Sequence, residues 1–141
     1  MRRLLVAIAC CVPLAGAAAT WRGVVSHITD GDTVWVRPSD GGPAIQVRIE
    51  GIDAPEICQA SGAQSRDALS GHVMGKRVDV VTRGEDDYHR TVARLRLGRA
   101  DVGKWMVSHG YAWSYRFRRD PGPYAREETR ARVLRLGLWR S

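Results

Sequence analysis

The stretch Arg48-Ile49-Glu50-Gly51-Ile52-Asp53-Ala54-Pro55-Glu56 converts a strand into a sharp exit crowded with charge. Just before and within it, Ile45, Val47 and Ile49 alternate with Gln46, Arg48 and Glu50, the period-2 pattern of a half-buried strand. The alternation stops at Gly51, and Pro55, with no N–H to give a ladder, drives the chain out of the sheet. Ala54, preceding the proline, is biased toward extended backbone. Two carboxylates, Asp53 and Glu56, are thus delivered to a strand end downstream of Arg48. Charged groups gathered at a strand end point to a site. An aspartate before a turn proline is also ordinary turn chemistry, and Arg48 also fits a plain solvent-facing strand surface.

Working back from this stretch, Trp21 to Thr29 reads as a first strand and Thr33 to Arg37 as a second. Asp30-Gly31-Asp32 makes the turn between them, and Pro38 to Pro43 is a turn-rich loop leading into the third strand. Three strands joined by short turns form an antiparallel meander.

Working forward, Ala60, Ala63, Ala68, Leu69 and Val73 recur at helical spacing, with Ser61 as N-cap and a stop by Gly75. Arg77 to Thr82 and Thr91 to Leu97 read as the fourth and fifth strands, around a polar turn at Gly84-Glu85-Asp86-Asp87. Asp101 caps a short helix over Val102 to His109, which stops at Gly110. Tyr111 to Phe117 is an extended aromatic segment. Asp120-Pro121-Gly122-Pro123 opens a last helix with Tyr124, Ala131, Leu134 and Leu138 on its inner face and Gly137 at its end. The expected fold is α+β and mainly β: a five-stranded OB-type barrel with three helices packed on it.

The first 19 residues read as a secretory signal peptide: Arg2 and Arg3, an apolar run from Leu4 to Ala15, then a small-residue cleavage site ending at Ala19. That run is too short for a membrane span of about 20 residues. Residues 20–141 then form one domain of 122 residues, large enough for its own core. Only Cys58 remains in it, which excludes a disulfide framework, and a free cysteine is expected to be buried. Losing Arg2 and Arg3 leaves 20 basic against 15 acidic side chains, a net charge of +5. That balance suits a polyanionic partner, nucleic acid before membrane, since no amphipathic segment has a basic and an apolar face of sufficient length. The exported domain is expected in the periplasm or outside the cell, free of the membrane and monomeric.

Asp32 in the first turn and Asp53 at the third strand's end fall toward one barrel rim. Two carboxylates and a backbone carbonyl such as that of Ala54 make a hard-oxygen site, suited to Ca²⁺ rather than zinc. His27, His72, His89 and His109 have no metal spacing. Arg48, and Arg90 at the entry to the fifth strand, offer paired donors to phosphate oxygens. With Glu56 to orient or deprotonate water, the set fits in-line hydrolysis of a phosphodiester.

The chain resembles the thermonuclease (staphylococcal nuclease-like) family. The resemblance rests on Asp30-Gly31-Asp32-Thr33, on Arg48 through Glu56 with its D-x-P-E ending, on Tyr88-x-Arg90 and on Gly137-Leu138-Trp139. The motifs keep the family's order across roughly residues 22 to 139. The resemblance implies Asp32, Asp53 and the Ala54 carbonyl as Ca²⁺ ligands, and Arg48 and Arg90 on the scissile phosphate. It implies Glu56 as general base or water-positioning group, and cleavage of DNA and RNA, single-stranded by preference, to 3′-phosphates. Weak Ca²⁺ affinity, roughly 10⁻⁴–10⁻³ M, is expected from so few ligands.

Four departures stand out. Ala54 replaces a threonine, which a backbone ligand tolerates. His89 replaces the glycine between tyrosine and arginine, at a cost if that position needs positive φ. The lysine-bearing loop after D-x-P-E is shortened to Ile57-Cys58-Gln59. Arg116 and Arg118 stand where base-stacking tyrosines are expected, with Tyr115 and Phe117 beside them on the other side of the extended chain, so Arg116, Arg118 and Arg119 can substitute charge contacts for stacking; substrate contacts are expected at Tyr88, Tyr115, Arg116 and Arg118. Trp35, Trp105, Trp113 and Trp139 are expected to pack inside, and the arginine run from Arg126 to Arg140 to be a solvated helix face. A catalytically silent barrel binding nucleic acid or a protein, and a basic structural domain, are the competing readings.

Overall fold

A computed structural model describes residues 19–140. The expected signal peptide, residues 1–19, therefore lies almost wholly outside the described residues. The strands are β1 Thr20–Asp30, β2 Thr33–Pro38, β3 Ile45–Ile49, β4 Ile52–Asp53, β5 Arg77–Glu85, β6 Thr91–Leu97, β7 Ala100–Asp101 and β8 Trp113–Ser114. The helices are α1 Gly62–Val73, α2 Val102–Ser108 and α3 Ala125–Val133, with a 3₁₀ turn at Gly137–Trp139.

β1, β2 and β3 form the expected antiparallel meander. β1 is long enough to serve two partners: Thr20 to Val24 pair with β5, and Gly23 to Asp30 with β2. Bulges after Val25 and Ile28 curve it between them. β5 pairs with β6, and β6 returns to β3 in parallel, with Val47 opposite Thr91, Arg48 opposite Val92 and Ile49 opposite Ala93. That pairing closes a five-stranded barrel of β1, β2, β3, β5 and β6. α1 packs on β1 and α2 on β6, with α3 laid against α2, which gives the expected OB-type barrel with three helices.

The inward positions of the alternating strands supply the core: Val34, Val36, Val47, Val80, Ala93 and Leu95 have no exposed surface. Leu69 and Val73 of α1 and Met106 and Val107 of α2 cover the barrel and are equally buried. Asp101 caps α2 as expected, accepting from the Lys104 amide at 3.0 Å, and it also accepts from the Tyr124 hydroxyl at 2.8 Å. Burial, followed by the Asp101 hydrogen bond and charge, pushes the Tyr124 phenol well above its ordinary value.

Several expectations are corrected. Cys58 is exposed, because it lies in a surface turn after Pro55 in which Glu56 to Ala60 are all exposed. Ser61 precedes α1 in left-handed backbone (φ 65°) and its hydroxyl caps nothing. The buried face of α1 is Gly62, Ser65, Leu69 and Val73, while Ala60 and Ala63 face solvent. Gly62 is needed there, since a Cβ would stand 2.0 Å from the Glu56 carbonyl oxygen. α3 starts only at Ala125 and stops at Val133, so Leu134 is exposed and the inner face is Tyr124, Glu128 and Ala131. Pro123, expected in the first turn, lies before the helix. Trp35, Trp105, Trp113 and Trp139 are only half-buried.

Trp105 joins α1 to α2. The His72 ring stacks on it at 4.0 Å and 8°, and His109 at 4.3 Å and 27°. Burial, with Lys76 and His109 nearby, lowers the His72 value from 6.5. Its Nε2 is buried with no partner among the described residues. A folded value below the unfolded one means stability present above about pH 6.5 and lost as the pH falls. His72→Phe, which keeps the stack without the titration, is expected to flatten the loss of stability between about pH 7 and pH 5 in denaturant melts.

Candidate active site

Arg48 leaves β3 at the point where the barrel closes on β6. Its Nη1 donates to the carbonyls of Ile49 and Ile52, both at 2.8 Å, which folds the guanidinium back over the strand exit. Its Nη2 lies 3.3 Å from both Asp32 Oδ2 and Asp53 Oδ1. One arginine thus ties the β1–β2 turn to the end of β3.

The turn itself is tightly built. Asp30 Oδ1 accepts from the Asp32 amide at 3.0 Å, and Asp32 accepts from the Thr33 hydroxyl at 2.9 Å and from the Ala54 amide at 2.8 Å. Only glycine fits between the two aspartates, since a Cβ on Gly31 would stand 2.7 Å from Ser65 Cβ and 2.8 Å from Ala54 Cβ. Asp32 is 5% exposed. Burial pushes its carboxyl up to about 7; the Arg48 charge opposes that rise and Asp30 adds to it. The carboxylate is therefore short of positive charge even with Arg48 beside it. Asp53, on β4, is exposed.

These donors fit a hard cation. Asp32 and Asp53 supply anionic oxygens on one guanidinium's flank, and the under-compensated charge of Asp32 favours an added positive ion. No cluster of three or more histidine, cysteine or acidic side chains suited to a metal forms among the described residues. Water would complete the coordination of any ion held there.

Arg48 opens into a cavity of ≈ 360 Å³ that it shares with Arg90, Asp86, Tyr88, Tyr115 and Glu50. Asp86 holds the far wall. Its Oδ1 accepts from the amides of Tyr88 and Arg90, at 2.9 and 3.0 Å, and its Oδ2 from Arg90 Nε at 2.7 Å. Desolvation works upward on the Asp86 carboxyl, but the hydrogen bonds from Arg90 and Tyr88 outweigh it and hold the group below its ordinary value. The Arg90 guanidinium lies 5.3 Å from the centre of the Tyr88 ring. Tyr115 reaches the opposite wall, its amide donating to the Gly51 carbonyl at 2.9 Å.

The structure thus brings together Arg48, Arg90, Tyr88 and Tyr115, with Asp32 and Asp53 adjoining through Arg48. Glu56 does not line the cavity; it stands exposed in the turn beyond Asp53, its amide donating to Gln59 Oε1 at 2.8 Å. Arg116 turns away and pairs with Glu128, and Arg118 lies exposed with its guanidinium 5.3 Å from the Phe117 ring. Neither lines the cavity.

The staphylococcal nuclease homologue family model matches residues 46–141. The chain belongs to the staphylococcal nuclease family. Among its relatives, an uncharacterized endonuclease of Haemophilus influenzae is 37% identical over 82% of this chain and 64% of its own length. Protein ParB of Escherichia coli is 38% identical over 99% of the chain and 84% of its own length. Micrococcal nuclease of Shigella flexneri is 34% identical over 94% and 83%. The chain thus spans somewhat less than two thirds of the Haemophilus relative and most of the other two.

Within this family fold, two functional groups carry little mark in the sequence. Asp86 stands in a polar turn, yet it orients Arg90; its position four residues upstream, before a turn, is the available signal. Glu128 was hidden among the charges of α3, yet it is 3% exposed and accepts from the Ser114 amide at 2.8 Å, from Arg116 and from Arg132 at 2.6 Å. Nothing local marks it as buried.

His89 has φ 60°, the left-handed backbone that its glycine-replacing position suggested, and its ring bonds Glu85 at 2.9 Å. His89→Gly is expected to stabilise the protein by about 0.5–1 kcal/mol in urea melts by relieving the backbone without disturbing a buried group. Arg48→Met removes the donor to two carbonyls and leaves Asp32 buried beside Asp30. It is expected to cost about 3 kcal/mol by the same measurement.

Proposed function

We propose that this chain is an exported Ca²⁺-dependent nuclease, acting in the periplasm or outside the cell on DNA and RNA. Single strands are its preferred substrate and 3′-phosphates its products. The observation that carries the reading is the convergence of Arg48 and Arg90, from distant parts of the sequence, on one cavity walled by two tyrosines and flanked by two carboxylates. Membership of a nuclease family and relatives named as nucleases support it.

In this reading Arg48 meets the phosphate first with Nε, since Nη1 is committed to the backbone and Nη2 to Asp32 and Asp53. Arg90, oriented by Asp86, meets it from the other wall. Together they stabilise the charge that grows on phosphorus as water attacks. Tyr88 and Tyr115 give the neighbouring bases surfaces to stack on, each worth about 1–3 kcal/mol per base. Asp32, Asp53 and the Ala54 carbonyl would hold the calcium ion, whose positive charge would draw the substrate in and stabilise the same transition state. Glu56 orients the water and takes its proton. The bond from phosphorus to O5′ breaks, O5′ takes a proton from solvent, and the phosphate stays on the 3′ side. The enzyme acts as a monomer.

Digestion of single-stranded DNA with millimolar Ca²⁺ and with EDTA tests this. Cleavage is expected only with Ca²⁺, and Arg90→Ala or Glu56→Gln should lower the rate at least about 10²-fold. Full activity in Glu56→Gln would remove its role. The position of Glu56 outside the cavity lining favours one other reading, a silent nucleic-acid-binding barrel. That reading requires strand binding in EDTA and no cleavage after Ca²⁺ is added.

A further inference from the structure

We propose that the groove between α2 and α3 is a second polyanion site, holding the phosphate backbone of a nucleic-acid strand outside the cleavage cavity. The proposal rests on the nuclease reading for its ligand and on its own observations for its location. The groove has a volume of ≈ 550 Å³ and is lined by Lys104 and His109 from α2 and its end, and by Arg126, Glu127, Arg130 and Leu134 from α3 and its end. None of these residues lines the cavity shared by Arg48 and Arg90.

The charge of α3 is not balanced within the protein. Its two carboxylates are committed: Glu127 lies 3.4 Å from Lys104, and Glu128 is buried between Arg116 and Arg132. Arg132 is thereby accounted for. Arg126 and Arg130 are exposed, and neither has an ion-pair partner among the described residues. They stand one turn apart on the same face, about 6 Å along the axis at 1.5 Å per residue, where like charges repel. Two guanidinium groups in a concave site, facing a lysine that only one carboxylate offsets, form a surface built for successive phosphates.

Continuity with the cleavage cavity favours a polynucleotide over a small anion. The start of α3 abuts the cavity wall: a Cβ on Gly51, which lines the cavity, would meet Pro123 at 2.8 Å and Tyr124 at 3.0 Å. Arg126 follows two residues later and Arg130 one turn beyond. A strand held at Arg48 and Arg90 and leaving past Gly51 meets the start of α3 as its next surface. The concave form of the groove suits a strand better than a flat anionic membrane.

The test compares wild type with Arg126→Ala/Arg130→Ala, using labelled single-stranded DNA of about 4 and about 20 nucleotides, lengths that bracket the footprint of one small barrel. Fluorescence anisotropy in EDTA over a salt series gives binding, and Ca²⁺-dependent cleavage of the short strand reports the cavity. The double variant should bind the long strand at least about tenfold more weakly, with a salt slope smaller by about 1.4 for two lost phosphate contacts. Short-strand cleavage should be unchanged, and Arg126→Lys/Arg130→Lys should retain the slope. Equal affinity and slope in the alanine variant overturn the proposal. Failure of wild type to cleave either strand overturns the nuclease reading alone, because the charge-dependent loss of long-strand binding is read without Ca²⁺.

Discussion

The site depends on one pairing, the parallel contact of β3 with β6 that closes the barrel. Parallel strands cannot be joined by a hairpin; they need a crossover, which here runs through β4, α1 and β5. Without that closure Arg48 and Arg90 would sit on separate edges of an open sheet. With it, Arg48 stands opposite Val92, and Arg90, at the entry to β6, reaches the same cavity. The hydrophobic alternation of the two strands drives the closure, because Val47, Ile49, Ala93 and Leu95 are buried only when the cylinder is complete.

Arg48 then settles the local electrostatics. Buried beside a turn that already holds Asp30, the Asp32 carboxylate is costly, and a single guanidinium opposes only part of that cost while also binding two strand-exit carbonyls. The same side chain thus shapes the exit and faces the cavity, so structure and recognition at this point are not separable. Arg90 differs. Asp86 grips its Nε and the neighbouring amides, fixing the loop as well as the guanidinium, and the positive φ of His89 shows that the loop holds its geometry against backbone preference.

The arginines near the C-terminal end divide by partner. Arg116 and Arg132 enclose the buried Glu128, which also holds the Ser114 amide, and this anchors the segment from which Tyr115 reaches the cavity. Arg126 and Arg130 have no such task. Residues of one type, within one short stretch of chain, are thus separated into structural and free charges by the presence or absence of a single carboxylate.

Much of this was legible in the sequence, and the reason is that it is local. Alternation located the strands, and the bounds of β6 agree with those read from its pattern. Asp101 declared a helix start, and the glycine at position 89's counterpart made a left-handed histidine foreseeable. The readings that failed needed a partner from elsewhere in the chain. Cys58 looked apolar but lies in an exposed turn; Leu134 had helical spacing, but α3 ends before it and leaves it exposed; Glu128 looked like a surface charge until Ser114, Arg116 and Arg132 met around it. By itself the sequence determined the five barrel strands, the Asp101 cap, the turn glycine between two aspartates and the residues able to carry charge, because periodicity and steric limits act over a few residues. Only the tertiary structure decided which charges meet, which are spent on one another and which remain free, because burial and Coulomb attraction depend on distances that barrel closure alone creates.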